Sequence, residues 1–380
     1  MSQIFRIIYT IVAISFFAQT ANAIETSAKQ ALLIDFQTGV VLFEKNANEM
    51  MVPSSMTKIM TVYMVFDLLN KKKLSLKDKF VVNKSAWQKG GSRMYLELGS
   101  SVSVDDLLRG IVVQSGNDAS IAVAEGIANN EAVFAVEMTE KANSLGANNT
   151  TFKNATGWPD PQHMTTARDL AVISTSLIKQ FPDFYKTYFS QKEFTYNHIT
   201  QKNRNPLVHS SLAADGIKTG QTEAGGAGLV GSVVQKGRRL LLVINGCKDG
   251  KERAAESEKL FQWGFSSTMT PKLLSAGQEL VKANVWLGNQ SHVPLVAKEN
   301  LYVTVPRADA KKIVVEVHYA DPLPAPITAG QEVGKIVVTM PDKTKIEKIL
   351  VAGAAVDTGG FFERIGAAFN HLIFGSSEKR

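Results

Sequence analysis

Cysteine is almost missing from this 380-residue chain, which has one, Cys247. An internal disulfide framework and any multi-cysteine zinc or iron–sulfur site are therefore excluded. The six histidines show no His-Glu-x-x-His spacing, which speaks against zinc-dependent peptide hydrolysis. Charge is modest: 42 Lys+Arg against 35 Asp+Glu leave +7, scattered except for Lys71-Lys72-Lys73. That balance gives weak attraction to anionic surfaces and makes nucleic acid an unexpected partner. Repeats and low-complexity segments are absent. At 44% hydrophobic residues the chain is globular in composition. Because a single core stops growing near about 250–300 residues, two folded units are expected.

Long apolar runs are also missing, apart from Ile7 to Ala18 near the N-terminus. That run follows one positive side chain, Arg6, and is followed by Ala21-Asn22-Ala23, small residues suited to signal-peptidase cleavage. Residues 1–23 therefore read as a secretory signal peptide. The other reading, an uncleaved anchor, is weakened because a bilayer span needs about 20 apolar residues. Cleavage would remove Arg6 and no acid, taking the charge from +7 to +6. At the other end, Phe361, Ile365, Phe369, Leu372 and Ile373 recur at spacings of three and four. This predicts an amphipathic helix of about four turns. It either docks on the protein's own core or lies in the plane of a membrane, with its aromatic face among the headgroups.

Between the ends, strand-like and helix-like runs alternate up to about residue 275, and short strands follow. Gln30 to Phe36 and Val40 to Glu44 flank Gln37-Thr38-Gly39 as a hairpin. Met56 to Leu69 reads as a helix apolar nearly all round, hence buried. Further helices are expected over 119–129, 131–145, 168–179 and 251–263, with strands over 229–234 and 239–244. Strands over 279–287, 301–305, 312–319, 332–340 and 345–352 imply a small all-β, sandwich-like domain. The boundaries read as 1–23 signal, 24–275 catalytic, 276–355 β-rich, and 356–380 amphipathic tail.

Three short motifs carry chemistry. In Pro53-Ser54-Ser55-Met56-Thr57-Lys58, one turn stacks the Lys58 amine beside the Ser55 hydroxyl. A lysine desolvated among other cations loses its proton readily and can activate a serine nucleophile. The spacing alone is weak evidence, since Ser176-Leu177-Ile178-Lys179 repeats it in a helix where Lys179 reads as a surface residue. In Ser115-Gly116-Asn117, the hydroxyl can relay a proton and the amide can grip a peptide. Alone, it is a turn with Asn117 or Asp118 as helix N-cap. In Lys218-Thr219-Gly220, followed by Gln221, an edge strand with a glycine lets a substrate backbone lie alongside while Lys218 and Thr219 face a carboxylate.

The order and spacing of the three motifs in an exported chain resemble the active-site serine penicillin-recognising enzymes, and in particular the low-molecular-mass penicillin-binding proteins of the D-alanyl-D-alanine carboxypeptidase type. The stretches 155–158 (ATGW), 165–169 (TTARD), 203–205 (NRN) and 250–253 (GKER) strengthen the resemblance, which spans nearly the whole mature chain. It implies an α/β (α+β) serine β-lactamase/transpeptidase-like domain, a β-rich second domain, and peripheral attachment to the periplasmic side of the cytoplasmic membrane through the C-terminal helix and anionic lipid. The implied substrate is a peptidoglycan stem peptide ending in D-Ala-D-Ala, with β-lactams as inhibitors and no metal or other cofactor. The implied roles are Ser55 nucleophile, Lys58 base and Ser115 proton relay. Backbone N–H groups of Ser55 and Gln221 serve as oxyanion donors, with Asn117, Lys218, Thr219, Gly220 and Arg253 binding substrate. Relatives often carry histidine where this chain has Gln221, and Arg204 is either structural or at the cleft edge. A D,D-endopeptidase or a serine β-lactamase shares this fold, although the Glu-x-x-Leu-Asn run of class A β-lactamases is missing. An inactive wall-binding module is disfavoured by intact Ser55 and Lys58, and Cys247 reads as a buried thiol.

Overall fold

The computed structural model describes residues 24–360, together with the backbone of a strand at Ser2–Ile7. The amphipathic segment after Gly360 and most of the expected signal peptide lie outside the described residues. Contacts divide the chain into two compact units, with the break between Ser266 and Ser267.

The first unit is built on a five-stranded antiparallel sheet, in spatial order Val41–Lys45, Gln30–Asp35, Arg238–Cys247, Gly226–Gln235, Ala214–Thr222. Strand side chains alternate faces. In the central strand, Leu240, Leu242 and Ile244 pack with Leu260 and Phe261 of the helix Gly250–Ser267. Leu241 and Val243 face the opposite layer, a cluster built mostly from the other helices. With both faces covered, the strand reads as a continuous apolar run, as buried strands do.

The helix Lys58–Asn70 runs through that second layer, with Ile59, Met60, Val62, Tyr63, Val65, Phe66 and Leu69 all buried, as its all-round apolar pattern requires. Around it stand Val104–Val113, Asn117–Ala128, Glu131–Ser144 and Ala167–Gln180. Three of these begin at a side-chain cap that accepts a backbone N–H in the first turn: Ser103, Asn130 and Thr166. The predicted hairpin and helices appear within a few residues of their expected ends. The apolar run 107–113 is the body of a helix that starts at Val104.

The second unit holds a seven-stranded hydrogen-bonded order in which Val314–Ala320, Glu332–Thr339, Lys345–Ala352, His292–Ala297 and Glu279–Trp286 are successive neighbours, with Leu323–Pro324 at one edge and Ser2–Ile7, which falls within the segment read as a cleavable signal peptide, at the other. The expected sandwich takes the form of one continuous order. Register shifts at Glu279/Val281 and Glu332/Gly334 mark its irregular points. Strands from both ends, through Val315, Val317, Ala283 and Leu323, share one core cluster. The strand His292–Ala297 has no counterpart in the sequence-based expectation. Its Pro294 demotes a strand reading, yet the structure tolerates it because the ladder to Lys345–Ala352 covers only Leu295–Ala297.

Candidate active site

Residues from six separated segments line one cleft. Ser54–Thr57 is a 3-10 turn, and Lys58 opens the α-helix that follows. In 3-10 geometry the side chains at i and i+3 eclipse, so Ser55 and Lys58 superpose, with Lys58 Nζ 2.9 Å from Ser55 Oγ. The turn is clamped from two sides. Gly220 on the edge strand lies so close that a Cβ there would meet Pro53 O at 2.8 Å and Ser54 Cβ at 3.0 Å. At Gly157 (φ +79°) a Cβ would fall 1.7 Å from Ser54 O. Each glycine is required by backbone proximity, and Gly157 by its left-handed conformation as well.

Lys58 is fully buried. It also donates to Asn117 Oδ1 (2.8 Å) and to the Thr156 carbonyl (2.6 Å). Burial is the largest influence on its amine and lowers the pKa from 10.5 to about 7. Asp118 and Glu131 oppose that fall, and Arg204 and Lys89 reinforce it. As an ammonium, Lys58 donates to three acceptors. Once neutral it has only two N–H bonds, and Asn117 Oδ1 and Thr156 O are pure acceptors that claim both. The lone pair is then left to Ser55 Oγ. Asn117 Nδ2 donates to Gly90 O at 2.8 Å, which fixes the amide orientation.

Ser115 sits in the turn before the helix Asn117–Ala128, in a left-handed conformation (φ +62°). Its Oγ is buried and has no hydrogen-bond partner within the protein. The N-cap of this helix is Gly116 and makes no side-chain cap. Neither Asn117 nor Asp118 is its N-cap, since both lie inside the helix; Asp118, fully buried, accepts from Ala119 N and reaches back to Met94 N and Leu96 N.

The wall facing this turn is the edge strand. Lys218 is buried, with Nζ 3.2 Å from its neighbour's carbonyl, Thr219 O. Burial, reinforced by Lys58, Arg204 and Arg253, holds its amine well below the ordinary ammonium range. Arg253, on the last helix of the unit, is 3.5 Å from Gly220 O through Nη1. Its Nε is buried without a partner. Ser55, Ser92, Ser115, Arg204, Thr219, Gly220, Gln221 and Arg253 line a cleft of about 190 Å³ that bears two cations and no carboxylate.

All nine residues singled out from the sequence line this cleft or touch residues that do. Lys179 of the second Ser-x-x-Lys is exposed in its helix, and Cys247 is buried, with its thiol raised to about 11 by burial. Arg204 stands at the cleft, presented between Asn203 and Asn205. Both asparagines are buried, and Asn203 Oδ1 accepts from Asn205 N. Sequence reasoning missed Thr156, Ser92 and Asp118. Asn154, which accepts backbone N–H bonds from Thr156, Gly157 and Trp158, was legible as an Asx-turn former. The Thr156 carbonyl that it positions was not, since every residue has a carbonyl.

A serine whose oxygen meets a buried, near-neutral lysine, beside a cationic groove on an edge strand, defines an active-site serine acyl-transfer enzyme. Residues 17–249 match the D-alanyl-D-alanine carboxypeptidase family, and residues 269–358 match the penicillin-binding protein 5 C-terminal domain. The chain is 40% identical over 355 residues to D-alanyl-D-alanine carboxypeptidase DacC of Escherichia coli, covering 91% of this chain and 88% of that one. Penicillin-binding protein 5 of Haemophilus influenzae superposes with a TM-score of 0.77 at 35% identity, over 89% of this chain and 99% of that one. Penicillin-binding protein D2 of Listeria monocytogenes, solved in its ampicillin-bound form, is similar over 64% of this chain and 99% of that one, with 26% identity and a TM-score of 0.59. The chain belongs to the D-alanyl-D-alanine carboxypeptidase family of serine peptidases.

Proposed function

We propose that the protein removes the terminal D-alanine from peptidoglycan stem pentapeptides by double acyl transfer on Ser55, and that β-lactams acylate the same oxygen. The observation that carries this reading is the three-way hold on Lys58 Nζ, which leaves its lone pair for Ser55 when the amine is neutral. Ser55 Oγ attacks the carbonyl between the two D-alanines and its proton passes to Lys58. The tetrahedral oxyanion lies against the N–H groups of Ser55 and Gln221, each such donor contributing about 3–4 kcal/mol. The C–N bond breaks, and the departing D-alanine amine takes a proton through Ser115, whose unpartnered hydroxyl is free to relay, and Lys218. Thr219 and Arg253 hold the terminal carboxylate, and Asn117 orients the peptide. Water then cleaves the ester, releasing the shortened stem and regenerating Ser55.

Labelled penicillin followed by peptide mapping tests the nucleophile: label on the Ser55 peptide supports the reading, and label elsewhere ends it. Product analysis on a pentapeptide stem separates the activities. Free D-alanine without loss of crosslinks identifies a carboxypeptidase, and loss of crosslinks an endopeptidase.

The protein acts outside the cytoplasmic membrane, exported by residues 1–23 and held peripherally by an amphipathic helix in 356–380. No helix among the described residues is long and apolar enough to cross a membrane. Deleting residues 360–380 is expected to move the protein from the membrane fraction to the soluble one, and unchanged fractionation would rule out this anchor.

A further inference from the structure

Beside the cleft, the segment Lys89 to Leu96 is stapled to the start of the helix Asn117–Ala128 by four hydrogen bonds. Gly90 O accepts from Asn117 Nδ2, Ser92 O accepts from Asn117 N, and Met94 N and Leu96 N donate to Asp118. The last two pinch the chain around Tyr95. This residue is driven into a left-handed conformation (φ +63°), and its side chain is pushed outward, 50% exposed. A bulky residue with positive φ is an outlier that persists only where its surroundings over-determine it, and such outliers gather at functional sites.

The segment displays two cations on exposed aromatic rings, one on each side of Ser92, the point where it touches the cleft. Lys89 Nζ lies 4.2 Å from the Trp158 ring centre, and Arg93 Cζ lies 5.8 Å from that of Tyr95. Trp158 is 42% exposed, and its ring lies 3.3 Å from where a Cβ on Gly91 would stand. Arg93 donates through Nη2 to Trp87 O and leaves Nε buried without a partner. Asp118 is bonded to backbone N–H groups, and Glu131, which interacts with Lys89 through space, accepts from Ala155 N.

We infer that this rim is an acyl-side specificity wall, which selects stem peptides carrying a carboxylate at the end of the side chain upstream of the scissile D-Ala-D-Ala and discriminates against those whose side chain there ends in an ammonium alone. The inference rests on the carboxypeptidase reading above, in which the edge strand holds the two terminal residues. The upstream stem then leaves the cleft over the opposite wall, at Ser92. Trp158 and Tyr95 offer apolar faces to an aliphatic side chain, and Lys89 and Arg93 offer charge to its end.

The test uses the purified full chain and two synthetic pentapeptides that differ only at the third residue, diaminopimelate in one and lysine in the other, with a short N-acylated D-Ala-D-Ala substrate as control. Wild type is expected to favour the diaminopimelate peptide in kcat/KM by about tenfold, the size that two partly exposed ion pairs provide. In R93Q, which leaves Lys89 and its influence on Lys58 in place, the ratio is expected to fall to about threefold, through loss on the diaminopimelate peptide, while the short substrate and penicillin acylation keep wild-type rates. Tyr95→Gly relieves the backbone and removes the ring, so it is expected to raise thermal stability while lowering kcat/KM on pentapeptides only. A wild-type ratio of one or below, or variants that slow the short substrate equally, overturns the inference. Absence of penicillin acylation in wild type would instead overturn the carboxypeptidase reading.

Discussion

Lys58 sets a sharp expectation for pH. An ordinary lysine with a pKa of 10.5 is neutral in about one molecule in 3,000 at pH 7, whereas one at about 7 is neutral in about half. Burial thereby raises the fraction competent to take the Ser55 proton by about a thousandfold, the equivalent of about 5 kcal/mol between the two protonation states. The acylation rate with a fluorescent penicillin, measured from pH 5 to 9, should therefore rise tenfold per unit at low pH and level off above an inflection near 7. The perturbation is Arg204→Gln. The positive charge of Arg204 helps to hold the Lys58 amine down, so removing it should move the inflection to higher pH, slowing acylation most below pH 7 and least near pH 9. A profile flat from pH 5 to 9 would refute the assignment of Lys58 as base, and an inflection unmoved or moved downward in R204Q would refute the electrostatic coupling. The same burial also makes stability rise with pH between about 7 and 10.5. There the unfolded chain holds a proton on Lys58 that the folded chain does not. A Lys58→Met variant should lose that slope in denaturant unfolding.

Three further expectations follow from the packing around the site. Gly220→Ala places a Cβ 2.8 Å from Pro53 O, and should cost about 1–3 kcal/mol in thermal unfolding and slow penicillin acylation by displacing the strand from Ser55. Unchanged acylation would show that the close approach is incidental. Asn154→Ala removes an acceptor shared by three backbone N–H groups and should free the Thr156 carbonyl from Lys58. Its expected signature is a shifted acylation pH profile together with about 1–3 kcal/mol of destabilisation. His163, bonded to Thr57 Oγ1 beneath the nucleophile turn, is lowered by burial from 6.5 to about 4. Between those values the unfolded chain binds a proton that the folded chain refuses, so stability present above pH 6.5 should fall by about 3 kcal/mol as pH drops to 4. Urea unfolding of wild type and His163→Gln at pH 7 and pH 4.5 should show a smaller acid loss in the variant.

The fold was legible wherever one element's pattern answered to one surface. The all-round apolar run after Met56 could only be a buried helix, and Leu240 to Ile244 only a strand covered on both faces. It was illegible where a partner overrode the local preference. Pro294 hid a strand that tolerates it because the ladder to Lys345–Ala352 covers only Leu295–Ala297, and Asp118, a plausible N-cap, lies inside the helix and also holds the N–H groups of Met94 and Leu96.

The sequence by itself determined the covalent chemistry of the candidate site: a serine and a lysine three apart, a Ser-x-Asn after them and a Lys-Thr-Gly after that, in an order shared with a known enzyme family. Spacing within a helical turn is a local property, so it survives in one dimension. Tertiary structure alone decided whether that serine could be activated. The lysine loses its proton only because the walls from Asn117, Thr156 and the edge strand exclude water around it and take up its N–H bonds, and those walls come from segments as many as 160 residues apart. Desolvation is a property of enclosure, and no short stretch of chain encloses itself.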